Sequence, residues 1–284
     1  LWDAATGERL RGWGPLGEEV EGAAPIAGRN WIVAGLNDGR VLLLRTDRDG
    51  PPVTVCQGGG WAQVTASPDG ERFAAGFQDG TIRVWRSDGP DSVAAWKAHP
   101  LFALPVWSPT GDVIVTGGGE GTVRVWDAGD FCLLREIPAH ERRIYTMAIR
   151  GDGRAIATGS MDLTAAVWDM ATGRTLHQFR EHGGTVSGIT FLHADQEMLT
   201  ASADGRLLRW KTGRPGILSE LRGHTSDVTV VTVAAGGRIF SGDWSGEIRA
   251  WSPTTEDVPV RRVPGYATIV PRVRDLAFRP GAGE

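Results

Sequence analysis

The chain has 284 residues, yet it is poor in lysine, cysteine and tyrosine and has no long apolar run. Lys97 and Lys211 are its only lysines, and Cys56 and Cys132 its only cysteines. The two thiols lack CxxC spacing, so a metal cage or a disulfide framework is unsupported and both are expected to be inert buried thiols. No stretch approaches the roughly 20 apolar residues that span a bilayer. The net charge of −4 is spread over mixed signs with no basic stripe, which argues against nucleic acid and anionic membranes as main partners. No segment keeps helical periodicity beyond two turns, and no GxSxG, HExxH or P-loop pattern occurs. Arginine in place of lysine reads as GC-rich coding and points to a bacterial source. The chain opens on Leu1-Trp2-Asp3, without an initiator Met or a signal-like segment. It is therefore expected to be a fragment of a longer chain with a cytoplasmic location.

What is present is glycine, tryptophan and repetition: 40 Gly and 12 Trp. Similar segments recur as Gly80-Thr-Ile-Arg-Val-Trp85, Gly121-Thr-Val-Arg-Val-Trp126, Thr164-Ala-Ala-Val-Trp168, Gly205-Arg-Leu-Leu-Arg-Trp210 and Gly246-Glu-Ile-Arg-Ala-Trp251. Gly39-Arg-Val-Leu-Leu-Leu44 fits with Leu in the Trp place, and Leu1-Trp2-Asp3 is the tail of one more. The marks fall at 2, 44, 85, 126, 168, 210 and 251, with gaps of 41 or 42. A period held that steadily identifies a repeat architecture.

Each unit reads as β: short runs of alternating Val, Ile, Thr and aromatics, bounded by turn residues. Ser67-Pro68-Asp69-Gly70 and Ser108-Pro109-Thr110-Gly111 supply tight turns. Asp38-Gly39, Asp79-Gly80 and Asp204-Gly205 are hairpin signals before the Trp strand. One unit gives four strands, inner a, then b, c and outer d. In the unit ending at Trp168 they are expected near Ile144–Ile149, Ala155–Gly159, Thr164–Trp168 and Thr175–Phe179. A four-stranded sheet of this size cannot cover both faces, so copies must stack face to face around an axis.

The Trp-Asp pairs Trp2-Asp3, Trp126-Asp127 and Trp168-Asp169 resemble the WD-repeat β-propeller family. So does Gly223-His224, with its variants Ala98-His99, Ala139-His140 and Glu181-His182, 27 or 28 residues before the Trp. The resemblance covers essentially the whole chain, 1–284, as a single domain. Six units have strands a, b and c complete. The termini supply parts of another: strand c and d remnants with d near Glu8–Arg11, and a strand a near Val273–Phe278. The expectation is therefore an all-β, seven-bladed propeller of four-stranded antiparallel blades, six complete a-b-c units plus a gapped closing blade shared by the two termini.

The resemblance also implies a hydrogen-bonded tetrad inside a blade: His140, Thr158, Asp162 and Trp168 in one unit, His182, Thr200, Asp204 and Trp210 in the next. Two units depart at the acid: His99, Thr116 and Trp126 come with Glu120, and His224, Ser241 and Trp251 come with Ser245. The units ending at Leu44 and Trp85 lack the His and carry Ala34 and Ala75 at the Ser/Thr position, so apolar packing is expected to hold them. Recurrence itself argues against a nucleophile triad, because a catalytic site occurs once. No catalytic, cofactor-binding or metal residue is assigned. His177 and His193 read as surface residues. Gly12-Trp-Gly-Pro-Leu-Gly17 matches GxGxxG but opens no βαβ helix, and Asp47-Arg-Asp49-Gly50 reads as a turn.

By the same resemblance, the b–c turns and d–a loops form the face around the channel where partners dock. The b–c turns carry Asn37, Phe77, Met161 and Trp244, and the d–a loops Phe102, Arg142, Arg143, Tyr145 and Asp227. Of these, Phe77, Phe102, Arg142, Arg143, Tyr145, Met161, Asp227 and Trp244 are the candidate partner-binding residues, since aromatics with Arg are the composition of interface anchors. Trp61 and Trp107 read as core. The expected function is a non-catalytic scaffold that binds a protein or peptide, the partner being another protein or another domain of the same polypeptide. The alternative is a propeller enzyme, a hydrolase, lyase or quinone-dependent dehydrogenase, for which Asp227, Asp243, Glu18 and Glu19 would be the carboxylates at the channel mouth.

Overall fold

The computed structural model describes residues 1, 9–89, 91–192, 196–212, 216–234, 237–251 and 275–276. Their regular structure is entirely β, arranged as six sheets in chain order. The first holds β1 (Val20–Pro25), β2 (Trp31–Leu36), β3 (Arg40–Arg45) and β4 (Val53–Gln57). The second holds β5 (Ala62–Ala66), β6 (Arg72–Phe77), β7 (Thr81–Arg86) and β8 (Ser92–Lys97). The third holds β9 (Ala103–Trp107), β10 (Val113–Gly118), β11 (Thr122–Asp127) and β12 (Leu133–Pro138). The fourth holds β13 (Ile144–Ile149), β14 (Ala155–Ser160), β15 (Ala165–Asp169) and β16 (Thr175–Phe179). The fifth holds β17 (Val186–Leu192), β18 (Glu197–Ser202), β19 (Leu207–Lys211) and β20 (Ile217–Leu221). The sixth shows three strands, β21 (Val228–Val233), β22 (Ile239–Asp243) and β23 (Ile248–Trp251).

Within every sheet, consecutive strands pair antiparallel, so each blade is an up-and-down meander. Glycine closes five of the six b–c turns, at Gly39, Gly80, Gly121, Gly205 and Gly246, and Leu163 at φ +70 takes that place in the fourth blade. Gly80 sits at φ +84, which L residues rarely adopt, and a Cβ there would meet the His99 carbonyl at 2.1 Å. Glycine also lets blades approach. At Gly76 on β6 a Cβ would lie 2.1 Å from the carbonyl oxygen of Ala103 on β9 of the next sheet.

The core lies between sheets rather than within them. Ala74, Ile82 and Val84 of the second sheet pack with Ala103, Ile114 and Trp126 of the third. Val115, Val123 and Val125 of the third pack with Ile144, Ile156 and Trp168 of the fourth. The same layering joins the fourth to the fifth and the fifth to the sixth. Apolar area at about 25 cal/mol per Å² is thus recovered only when a neighbour is present.

The expectation of seven blades is corrected to six. A blade needs its central strands b and c to carry the hydrogen-bond ladder from a to d, and among the described residues six sheets have them. Where a seventh sheet would stack, Ala34, Leu36, Leu42 and Leu44 of the first sheet are packed by Trp13 and Leu16 from the loop that precedes β1. The Trp13 indole donates to the carbonyl of Arg45 (3.1 Å). The GxGxxG-like loop is therefore a cover over the first blade. Of the expected closing strand near Val273–Phe278, the described residues are Asp275 and Leu276. Asp275 accepts a hydrogen bond from the N–H of Ala23 on β1 (2.8 Å), and burial raises its pKa. Trp2, Asp3, Glu8 and His193 lie outside the described residues.

Candidate functional site

Two sets of polar and aromatic residues stand out: a buried series that recurs from blade to blade, and a group on the face formed by the b–c turns and d–a loops. In the buried series the histidine rides on the connector that leaves the outer strand of one sheet, and its ring reaches into the next. His140 Nδ1 lies 2.9 Å from Asp162 Oδ2, and Nε2 lies 2.7 Å from Thr158 Oγ1. The Trp168 indole donates to the same Thr158 oxygen (2.9 Å). His182 repeats this with Asp204 (3.1 Å), Thr200 (2.7 Å) and the Trp210 indole on Thr200 (2.8 Å).

The partners set the tautomer. Nδ1 donates to the carboxylate, Nε2 accepts from the hydroxyl, and the hydroxyl oxygen accepts from the indole. Desolvation lowers the pKa of His99, His140 and His224, against the pull of their acids, so the rings are neutral. Burial alone would raise the Asp162 pKa, but hydrogen bonds from Thr164 and His140 bring it below the ordinary value. Asp204 is held low by His182, Gly183 and Arg206 in the same way.

The two departing units form the network by other means. In the third blade Glu120 takes the acid's place, with His99 Nδ1 at 2.7 Å and His99 Nε2 at 2.8 Å from Thr116 Oγ1. In the sixth, Ser245 does not stand in for the acid. Asp243, two residues earlier, accepts from His224 (2.7 Å), and from the Ser245 and Glu247 backbone amides (2.9 and 3.0 Å). His224 Nε2 meets Ser241 Oγ at 2.6 Å, and the Trp251 indole donates to that oxygen (2.8 Å). Asp243, weighed from the sequence as a channel-mouth carboxylate, is instead fully buried. His224, Asp243 and Glu247 place ligand-type atoms within 4.8 Å of one another, a spacing that could hold a metal. Their atoms already have partners, since Asp243 is bound by His224 and Glu247 lies 2.9 Å from Arg249 Nε as an ion pair without hydrogen-bond geometry at Nε.

On the other set, the structure separates the candidate residues. Trp244, Met161 and Tyr145 are 46%, 38% and 37% exposed. Arg142 and Asp227 are also exposed. Phe77 and Phe102, by contrast, are 1% and 5% exposed, which removes them from any free surface. Trp107 is buried, with Arg72 over its ring. Trp61 is half-buried against Phe102 and Arg143. Cys132, expected to be buried, is exposed, and Cys56 is half-buried.

Topology puts the exposed group on one face. Met161 N–H donates to the Arg143 carbonyl (3.0 Å), and Trp244 N–H to the Asp227 carbonyl (2.9 Å), so each b–c turn sits beside the loop entering its own inner strand. Tyr145 reaches this face through a feature invisible as a motif. The β13–β14 register shifts between Ile144 and Thr146, making Tyr145 an extra residue in the strand. Glu21, Ser187 and Thr229 are the corresponding extra residues of β1, β17 and β21. Bulges re-aim side chains away from the alternating pleat.

The family model described as WD domain, G-beta repeat matches residues 51–86, 91–127, 131–169, 173–211 and 216–252. No curated protein matches the chain.

Proposed function

The chain belongs to the WD-repeat family, and from that premise we propose that it is a non-catalytic scaffold docking a partner protein or peptide on the face of its b–c turns and d–a loops. WD-repeat propellers are typically protein-interaction scaffolds and are generally non-catalytic. The observation that carries the proposal for this chain is the exposure of Tyr145, Met161 and Trp244 on that face, together with Arg142. Large apolar side chains held in water cost free energy that a docked partner recovers, and aromatics and Arg are the residue types that dominate such contacts. The polar groups that resemble catalytic sets are occupied by blade architecture, since the His–acid–hydroxyl–Trp arrangement recurs in four successive blades. The partner is a separate protein or another domain of the same polypeptide.

The test is a double substitution, Trp244→Ala with Tyr145→Ala. Partner capture should fall strongly, while stability stays within about 0.5 kcal/mol of the parent, as expected for exposed sites. Leu134→Ala, on the outer strand β12, should leave capture unchanged. Undiminished capture by the double variant would place docking on another face.

A further inference from the structure

Trp61, Phe102 and Arg143 lead into the inner strands of three successive blades. The Trp61 carbonyl accepts from Gln78 N–H (3.1 Å), and Phe102 N–H donates to the Gln78 carbonyl (2.7 Å). Together with the Arg143–Met161 bond, these contacts set all three residues at the mouth of the b–c turns. There the Arg143 guanidinium carbon lies 3.8 Å from the centroid of the Phe102 ring, 4.7 Å from that of Trp61 and 5.1 Å from that of Tyr145. The Trp61 and Phe102 rings are themselves packed at 4.3 Å.

The guanidinium in this cage is not fully satisfied. Arg143 Nε is buried without a hydrogen-bond partner. Glu21 on β1 contributes an attractive field, but among the described residues no carboxylate forms an ion pair with Arg143. Aromatic faces attract a cation, yet they accept nothing from the in-plane N–H donors of a guanidinium, which match a carboxylate bidentately.

The cage is maintained at a cost. Phe102 holds φ at +58, a region that a bulky side chain occupies only under strain. Its N–H bond to Gln78 and the wedging of its ring against Trp61 and Arg143 keep it there. Tyr145 reaches Arg143 because of the β13 bulge. Strain and bulge both serve to hold one cation rigid beside an exposed apolar surface that includes Met161 and Tyr145, with the exposed Arg142 next to it in sequence.

We propose that Arg143 is the anchor for an Asp or Glu side chain of a partner peptide, with the neighbours of that acid packing on Tyr145 and Met161. This rests on the docking face proposed above and names the chemistry of its occupant. Charge complementarity selects the acid, because an unpaired guanidinium already stripped of much of its water loses little more on pairing. Stacking holds the fork in place before the partner arrives, so little rotamer freedom is lost on binding.

The experiment uses an array of immobilised random peptides of about 12 residues, a length that spans such a face when extended, probed with the labelled chain. Bound peptides should be enriched in Asp and Glu. For the strongest binder, Glu→Gln should weaken binding by about tenfold or more, the usual scale for losing a charge-assisted bidentate pair. That preference should collapse in Arg143→Met. In Arg143→Lys, which keeps the charge and loses the fork, it should shrink to a few-fold. Absence of acidic enrichment, a Glu preference that survives Arg143→Met, or no bound peptide at all would overturn the proposal. If the Met variant fails to melt as a folded protein, the Lys variant decides, and an unchanged Glu-over-Gln ratio overturns it. Peptides bound without acidic preference, but lost in the Trp244→Ala, Tyr145→Ala variant, would remove the Arg143 anchor and leave the docking face standing. Binding indifferent to all of these substitutions would remove both.

Discussion

The first two blades and the last four solve the same packing problem differently. In the third to sixth blades a buried histidine links the approach to strand a, the hydroxyl on strand b, the acid of the b–c turn and the indole on strand c. In the first two, Ala34 and Ala75 occupy the hydroxyl's place in the same register, Ala34 opposite Leu42 and Ala75 opposite Arg83, as Thr116 lies opposite Arg124. There Phe73 stacks on Trp85 at 5.4 Å with planes 13° apart, within a core that includes Val33, Val41 and Phe77. The blade geometry therefore does not depend on the polar network. Apolar interlayer packing suffices, and the network adds links between loops and strands that apolar contacts do not specify, because hydrogen bonds carry direction.

That contrast can be broken most forcefully in the apolar half. Phe73→Ala should cost about 3–5 kcal/mol by removing the stack and leaving a cavity, read as a lowered denaturant midpoint; a loss below 1 kcal/mol would show that the second blade is held by something else. Next come the network acids. Asp162→Ala, Asp204→Ala and Asp243→Ala should each cost about 1–3 kcal/mol, since each removes the carboxylate to which a buried imidazole donates. The turn carboxylates of the first two blades are the control. Asp38 bonds Arg40 and Asp79 bonds the Thr81 amide, with no histidine behind them, so Asp38→Ala and Asp79→Ala should cost less than about 1 kcal/mol. Equal losses in both sets would erase the distinction.

The smallest effect is the pH dependence that the networked blades add. His99, His140 and His224 have folded pKa values lowered by burial. Between those values and the unfolded value of about 6.5 the unfolded chain binds more protons, so stability is full above about pH 6.5 and declines as pH falls below it. Asp162, Asp204 and Asp243 are also lowered in the folded state. Their contribution is present above about pH 4 and is lost as pH falls through the folded values, adding a steeper decline. Melting temperatures that rise on acidification from pH 7 to 5 would contradict this sign.

Much of the blade was legible in the chain. The four strands expected around Trp168 lie within one residue of β13 to β16, because alternation and turn residues act locally. As the acid of the network, Asp243 escapes the repeat pattern because it sits 19 residues after its histidine, whereas Asp162 and Asp204 sit 22 after theirs. The signal was an Asp two residues ahead of Ser245 in a turn that needed a carboxylate. The loop positions of Phe77 and Phe102 predict surface aromatics, and only packing shows that they face inward. The bulge that presents Tyr145 carries no glycine or other marker.

The sequence by itself determined the repeat, its all-β character and the meander of each blade, since these follow from hydrogen bonds and side-chain alternation within some forty neighbouring residues. Tertiary structure alone decided that six sheets form rather than seven, with Trp13 and Leu16 covering the first. It also brought Trp61, Phe102 and Arg143 from three loops around one guanidinium. Both outcomes depend on which surfaces meet when sheets stack, and a contact between residues forty positions apart leaves no local trace in the chain that makes it.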